Sequence, residues 1–244
     1  MNILVLDSHK GLGGYICKAS QDYAYDIRVA DMSDAMDSET LGRLVSEFSA
    51  DIILDCTMDR SYAKISSDVA SSIGVHLLYI LEETSLYEGE SDSAGFPVPS
   101  GCSCTLVTTS WLYGAEGFVG EWIERLADEP IVEVSSSRIS SPTYMRDLAE
   151  AVMFLIDKGL PAGYKRVSFC GEGVCSIYDF VVELNDRVGY LSRIVPVRTA
   201  EPSCVLPDNT AIRHDYGIEI PHWKDSLAAC LMDMNVLPIE YLEL

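Results

Sequence analysis

Long apolar runs are missing from this chain. Its longest stretches, such as Ala151-Val152-Met153-Phe154-Leu155-Ile156, close on charged residues, here Asp157 and Lys158, far short of the ~20 residues that span a bilayer. No membrane segment is expected. Met1 leads straight into Asn2-Ile3-Leu4-Val5-Leu6 and then Asp7, without the basic start and apolar core of a secretion signal, so a cytoplasmic protein is expected. Positive charge is scarce: 17 Lys and Arg stand against 38 Asp and Glu, a formal net charge of −21. That field repels nucleic acid and anionic membranes, and neither is expected as a partner. A nucleotide would have to be met by local Lys, Arg or helix N-termini.

Metal-ligand patterns are missing as well. The eight cysteines (Cys17, Cys56, Cys102, Cys104, Cys170, Cys175, Cys204, Cys230) share no repeated spacing. Cys102-Ser103-Cys104 and the Cys170 to Cys175 pair lack the two-residue spacer of a zinc knuckle, and no His lies near them. All are expected to remain thiols, with no metal site. There is no internal repeat and no low-complexity tract.

What the 244 residues do contain is an apolar pattern that switches period repeatedly. Short continuous runs at residues 2–6, 26–30, 51–55, 75–80, 104–108, 131–134 and 166–169 read as buried parallel strands. Amphipathic stretches at 13–21, 38–48, 62–73, 117–127 and 143–158 read as the helices between them. Ser141-Pro142 reads as a cap before a helix, and Ser176 as the cap of a helix over 177–188 with Gly189 beyond. A further helix is expected at 223–234, and the Gly- and Pro-rich stretch at 82–103 is the main loop. The fold class is α/β: a Rossmann-like parallel sheet with helices on both faces, one layer incomplete, and a small C-terminal α-rich lobe. Residues 1–160 are expected to form the nucleotide-binding domain and 161–244 the smaller lobe packed on it, the alternative being that the two interleave.

Five segments occur in a characteristic order. They are Thr109-Ser110-Trp111-Leu112-Tyr113-Gly114; Ser141-Pro142-Thr143-Tyr144 with Asp147-Leu148-Ala149; Gly171-Glu172-Gly173 with Ser176-Ile177-Tyr178-Asp179-Phe180; Asp208-Asn209-Thr210; and Gly217-Ile218-Glu219-Ile220-Pro221-His222-Trp223. Together they resemble the dTDP-4-dehydrorhamnose reductase family of extended short-chain dehydrogenases, nearly end to end. The resemblance implies a Rossmann domain for NADP or NAD, a smaller lobe for a deoxysugar nucleotide and, in some members, magnesium at a subunit interface.

Three departures from the family pattern bear on activity. Glycines after the first strand let a pyrophosphate approach the backbone at a helix N-terminus, but here the turn reads Asp7-Ser8-His9-Lys10-Gly11-Leu12-Gly13-Gly14. Aligned without a gap, Gly13 is the one motif glycine kept, with Asp7 and Lys10 at the other two positions. Shifted by one residue, Gly11 and Gly14 match and Ser8 takes the first place. Lys10, Gly11, Gly13 and Gly14 are the candidate cofactor-binding residues, and the alternative is a turn that merely joins strand to helix.

The second departure is the proton donor. The family uses Tyr-x-x-x-Lys, in which a cation one helical turn away lowers a tyrosine pKa that is otherwise near ~10. None of the 13 tyrosines here has Lys four positions later, and the resemblance implies that the helix carrying the pair is deleted between Gly89 and Thr109. Leu81-Glu82-Glu83-Thr84 stands where the family has its catalytic hydroxyl, Thr84 being a displaced remnant at best. Glu82 and Glu83 offer an acid/base pair in composition, but neighbours on a solvated loop tend to point apart. The third departure is a shortening between Cys56 and Val75, where Met58-Asp59-Arg60 reads as a surface ion pair. Glu201-Pro202 also stands where relatives tend to have Arg-Pro.

The expected function is a reductase-like protein with a degenerate catalytic centre and no assigned catalytic residue. It would be a pseudoenzyme kept for a nucleotide or sugar-nucleotide ligand, a protein partner or a second copy of itself. A missing helix would leave apolar strand surface bare, which monomers tolerate only to a few hundred Å². The alternative is an active NAD(P)H-dependent reductase of a 4-keto-6-deoxy sugar nucleotide with a rebuilt site, drawing on Tyr87, Tyr113 or Tyr144 with Lys64 or Arg146. A thiol enzyme using Cys56 or Cys170 is disfavoured by the lack of a neighbouring His.

Overall fold

The computed structural model describes residues 1–7, 11–31, 37–83, 103–200 and 203–237. The first apolar run is β1 (Asn2–Asp7), with Ile3, Leu4, Val5 and Leu6 wholly buried, as a strand covered on both faces requires. The chain then alternates through α1 (Leu12–Ala19), β2 (Asp26–Asp31), α2 (Ser38–Phe48), β3 (Ile52–Asp55), α3 (Arg60–Ile73), β4 (His76–Glu82) and β5 (Cys104–Thr109). It leaves the sheet through β6 (Leu112–Tyr113), α4 (Phe118–Asp128), β7 (Ile131–Ser135), β8 (Arg138–Ser140) and β9 (Thr143–Tyr144). It returns through α5 (Met145–Lys158) and β10 (Tyr164–Ser168). It ends with β11 (Cys175–Ser176), α6 (Ile177–Arg187), β12 (Arg193–Val197), β13 (Ser203–Val205), α7 (Thr210–Tyr216) and α8 (Trp223–Asp233).

The main sheet has six strands in the order β10-β5-β4-β3-β1-β2, and every pairing is parallel. β1 pairs with both β2 and β3, so the chain reverses its progress across the sheet there. In open α/β sheets such a reversal opens a crevice at the carboxyl ends of the strands. Alternating side chains divide the core. Ile3, Val5, Leu54, Ile80 and Val107 pack with Leu12 and Ile16 of α1, Leu148 and Val152 of α5, and Ile212 of α7. On the other face Leu4, Leu6, Ile53, Tyr79 and Leu106 pack with Leu41 and Val45 of α2 and Ala63 and Val69 of α3. Among the described residues one face thus carries three helices and the other two, the uneven layering expected. A third core, including Tyr113, Val132, Phe180, Trp223 and Leu231, fills the lobe.

Two expectations fail for a common reason, strand pairing between distant segments. Residues 131–134 do form a strand, but β7 lies outside the main sheet and pairs in parallel with β12. Its alternating burial, with Val132 and Val134 inside and Ile131 and Glu133 outside, marks a strand covered on one face. Ser141 does not cap α5. Thr143 and Tyr144 pair with Leu112 and Tyr113 instead, and the helix starts at Met145 behind Tyr144. Ser176 does cap α6, in a capping box with Asp179. The bare strand surface expected of a missing helix is not found on β5 either: Cys104, Leu106 and Thr108, which share that face, are buried.

Candidate functional site

β1 delivers Asp7 to the crevice and α1 begins five residues later. Gly11 caps that helix in the left-handed region at φ 78° without a side chain of its own, a conformation glycine takes at no steric cost. The cap comes from Asp7, whose Oδ2 accepts the Gly13 N–H at 3.1 Å, while the Gly14 N–H goes to the Gly11 carbonyl at 3.2 Å. A Cβ on Gly13 would lie 2.6 Å from the same Oδ2, whereas one on Gly14 would meet nothing within 4 Å. Close approach of helix to strand therefore occurs at Gly13. Lys10 lies outside the described residues.

A carboxylate on the first turn of a helix is favourable for the helix, whose N-terminus carries partial positive charge. It is unfavourable for a second anion. Two like charges about 4 Å apart repel by about 4 kcal/mol at an effective dielectric of about 20. Beside this turn opens a cleft of about 800 Å³, whose lining among the described residues includes Asp7, Glu82 and Glu116 against one base, Lys18. Tyr15 closes one wall by accepting the Ala115 N–H at 2.9 Å. The sequence reading missed Tyr15, although it directly follows the Gly13-Gly14 pair.

At the end of β4 the two acids diverge. Glu82 is still in the strand, not on a loop, and accepts the Leu112 N–H at 2.9 Å. Glu83, only 5% exposed, forms an ion pair with Arg166 of β10, and its N–H donates to the Thr109 carbonyl at 2.8 Å. The two carboxylates thus go to different partners, the Leu112 N–H and Arg166, rather than to each other. Thr84, Tyr87 and Glu201-Pro202 lie outside the described residues. Asp59 caps α3, accepting the Ser61 N–H at 2.8 Å, and the Arg60 side chain lies outside the described residues.

The ordered motifs converge where sheet meets lobe. Ser110 donates to the Ser141 carbonyl at 2.9 Å, and the Thr143 N–H to the Trp111 carbonyl at 3.1 Å. Asn209 reads both backbone groups of Cys170, at 3.0 and 2.8 Å. Glu172 joins Pro221 and Trp223 through backbone bonds of 2.8 and 2.9 Å. Gly173, at φ 85°, leaves no room for a Cβ against His222. Ser226 of α8 donates to Asp147 at 2.5 Å. These residues hold the lobe to the sheet.

Two of the tyrosines named for a rebuilt site, Tyr113 and Tyr144, have pKa values shifted away from neutrality. Tyr113 is 2% exposed and stacked on Tyr144, and burial pushes its pKa well up. Burial, with a hydrogen bond of 2.5 Å to Asp233, also raises Tyr144. Arg146 lies over the Tyr144 ring and pairs with Asp233. Lys64 is exposed on α3, across the sheet from α5. The thiols are no better. Burial, then Asp7 and Asp55, raises Cys56, and burial brings Cys170 to about 11. The seven cysteines among the described residues are all free thiols. Among those residues no group of three or more His, Cys, Asp or Glu could hold a metal ion, and no helix is long and apolar enough to cross a membrane.

Known proteins are similar in both sequence and fold. The family described as RmlD substrate binding domain matches residues 85–236. The spore coat polysaccharide biosynthesis protein SpsK of Bacillus subtilis is 33% identical over 140 residues, which is 54% of this chain and 48% of that protein. The chain spans about half the length of the curated relatives it matches. In structure it is similar to a dTDP-4-dehydrorhamnose reductase from Clostridium acetobutylicum, with TM-score 0.80 and 20% identity over 96% of this chain and 100% of that one. The dTDP-4-dehydrorhamnose reductase of Bacillus anthracis, in complex with NADP, gives TM-score 0.77 and 20% identity over 95% and 99%. The sheet order, the converging motifs and the family match agree: the chain belongs to the RmlD substrate-binding-domain family and is a divergent relative of the dTDP-4-dehydrorhamnose reductases.

Proposed function

We propose that this chain is a catalytically degenerate dTDP-4-dehydrorhamnose reductase-like protein, kept to bind a sugar nucleotide or a protein partner. The observation that carries the reading is the end of β4. A reductase needs a hydroxyl there to polarise a carbonyl, and a tyrosine whose pKa is lowered. Here Glu82 holds the Leu112 N–H and Glu83 holds Arg166, while burial raises Tyr113 and Tyr144 instead. Both carboxylates and the Tyr144 phenol at this place are engaged in holding the structure. The free thiols fit a cytoplasmic location, which belongs to the same reading.

The test is a reductase assay with NADPH or NADH and a dTDP-4-keto-6-deoxy sugar. Nicotinamide absorbance is expected to stay constant, and turnover above the uncatalysed rate would overturn the proposal. Calorimetric titration with dTDP-sugars measures the retained ligand site, and light scattering measures self-association.

A further inference from the structure

We infer that Asp7 is an internal substitute for the pyrophosphate of a dinucleotide, so that this Rossmann cleft is closed to NAD and NADP. The inference deepens the proposed function and rests on it for the identity of the cleft. Three observations meet at one point. The Asp7 carboxylate takes the Gly13 N–H, an amide of the first turn of α1. It does so from within van der Waals distance of the Gly13 backbone, with Oδ2 at 2.6 Å and Cγ at 2.8 Å from an ideal Cβ position. Among the described residues the cleft beside it adds Glu82 and Glu116 against Lys18.

A dinucleotide site of this architecture works because glycines leave the helix N-terminus bare, so that a phosphate oxygen can reach the amides and the positive end of the helix. At Asp7 the place of the first glycine holds an anion tethered by the chain itself. Its effective concentration exceeds that of any free ligand. A phosphate must displace the carboxylate from its hydrogen bond and then accept a second negative charge beside it. Gly13 is retained for a different purpose, to let Asp7 lie against the helix.

Titration of the full-length chain with NADH and with NADPH, followed by nicotinamide fluorescence and calorimetry, tests this directly. Wild type is expected to show no saturable binding up to about 1 mM. Asp7→Gly, which frees the Gly13 N–H, is expected to bind at least about tenfold more tightly than the wild-type limit, since removing one like charge is worth at least one factor of ten. Asp7→Asn removes the charge but keeps the volume, and serves if Asp7→Gly does not fold. A gain in either variant supports the inference. Micromolar binding by wild type would overturn it, as would folded variants that bind no better than wild type. Wild type that binds NADPH but reduces nothing would sink this inference alone and leave the degenerate reductase standing.

Discussion

The Oδ2 of Asp7 stands 2.6 Å from the point where a side chain on Gly13 would begin, and it accepts the Gly13 N–H at 3.1 Å. Contact this close means that Gly13→Ala must push Asp7 off the helix, an overpacking cost of about 1–3 kcal/mol. In an Asp7→Gly background the obstacle is gone. The same substitution should then become neutral or stabilising, by up to about 1 kcal/mol of helix propensity. Urea unfolding of the two single variants and the double variant checks the change of sign. Equal costs in both backgrounds would contradict the contact.

The Glu83–Arg166 pair predicts an asymmetry. Glu83 is 5% exposed and Arg166 is 36% exposed. Arg166→Leu leaves a buried carboxylate without its cation, a loss that ranges over about 3–5 kcal/mol for fully buried pairs and should fall at the low end here. Glu83→Gln leaves a guanidinium that water can reach, and should cost less. Chemical denaturation of both variants would refute the pairing if their order were reversed.

Asp55 should give stability a slope with pH. It accepts bonds from Thr57 Oγ1 and Ser66 Oγ at 2.7 Å and from the Thr57 N–H at 3.0 Å. Burial nevertheless outweighs them and raises its pKa. The native state then keeps this proton to a higher pH than the unfolded chain, whose carboxyl titrates near about 3.9. The favourable contribution is complete below that value and is lost as pH rises through the folded pKa. Asp55→Asn should therefore gain stability relative to wild type as pH rises across that window. A pH series of unfolding midpoints that shows the reverse trend would rule this out.

His76 acts in the opposite sense. It is part-buried against Thr105 Oγ1 at 3.0 Å, and burial lowers its pKa. Below about pH 6.5 the unfolded chain takes up a proton that the native state refuses, so stability falls as pH drops from that value toward the folded pKa. His76→Gln should flatten this decline. NMR titration of the imidazole in the native state should give a midpoint below the unperturbed value of about 6.5.

Local features were legible in the sequence. α2 runs over Ser38–Phe48 as its periodicity indicates, and α6 starts behind Ser176 because Ser and Asp three apart suffice for a capping box. Ser176→Ala should accordingly cost about 1 kcal/mol, by thermal or urea unfolding. The separation of Glu82 and Glu83 was legible too: one carboxylate goes to the Leu112 N–H and the other to Arg166.

Distant pairings were not legible. Arg166 lies 83 residues from Glu83, and no local pattern joins them. Thr143 and Tyr144 carry a helical periodicity that pairing with Leu112 and Tyr113 overrides. At the first turn the sequence showed a charge in a glycine's place. It did not show that the carboxylate folds back onto an amide six residues on.

β10, an edge strand of the main sheet, lies in sequence between the two groups of segments that build the lobe: β6, α4 and β7 before it, and α6, β12 and α8 after. During synthesis from the N-terminus, half of the lobe emerges before the last strand of the sheet exists. The other half emerges after it. β7 waits some 60 residues for β12, the partner that completes its ladder. All six strands of the sheet have emerged once β10 is made, while β7 still lacks β12, so the sheet is expected to be completed before the lobe closes on it.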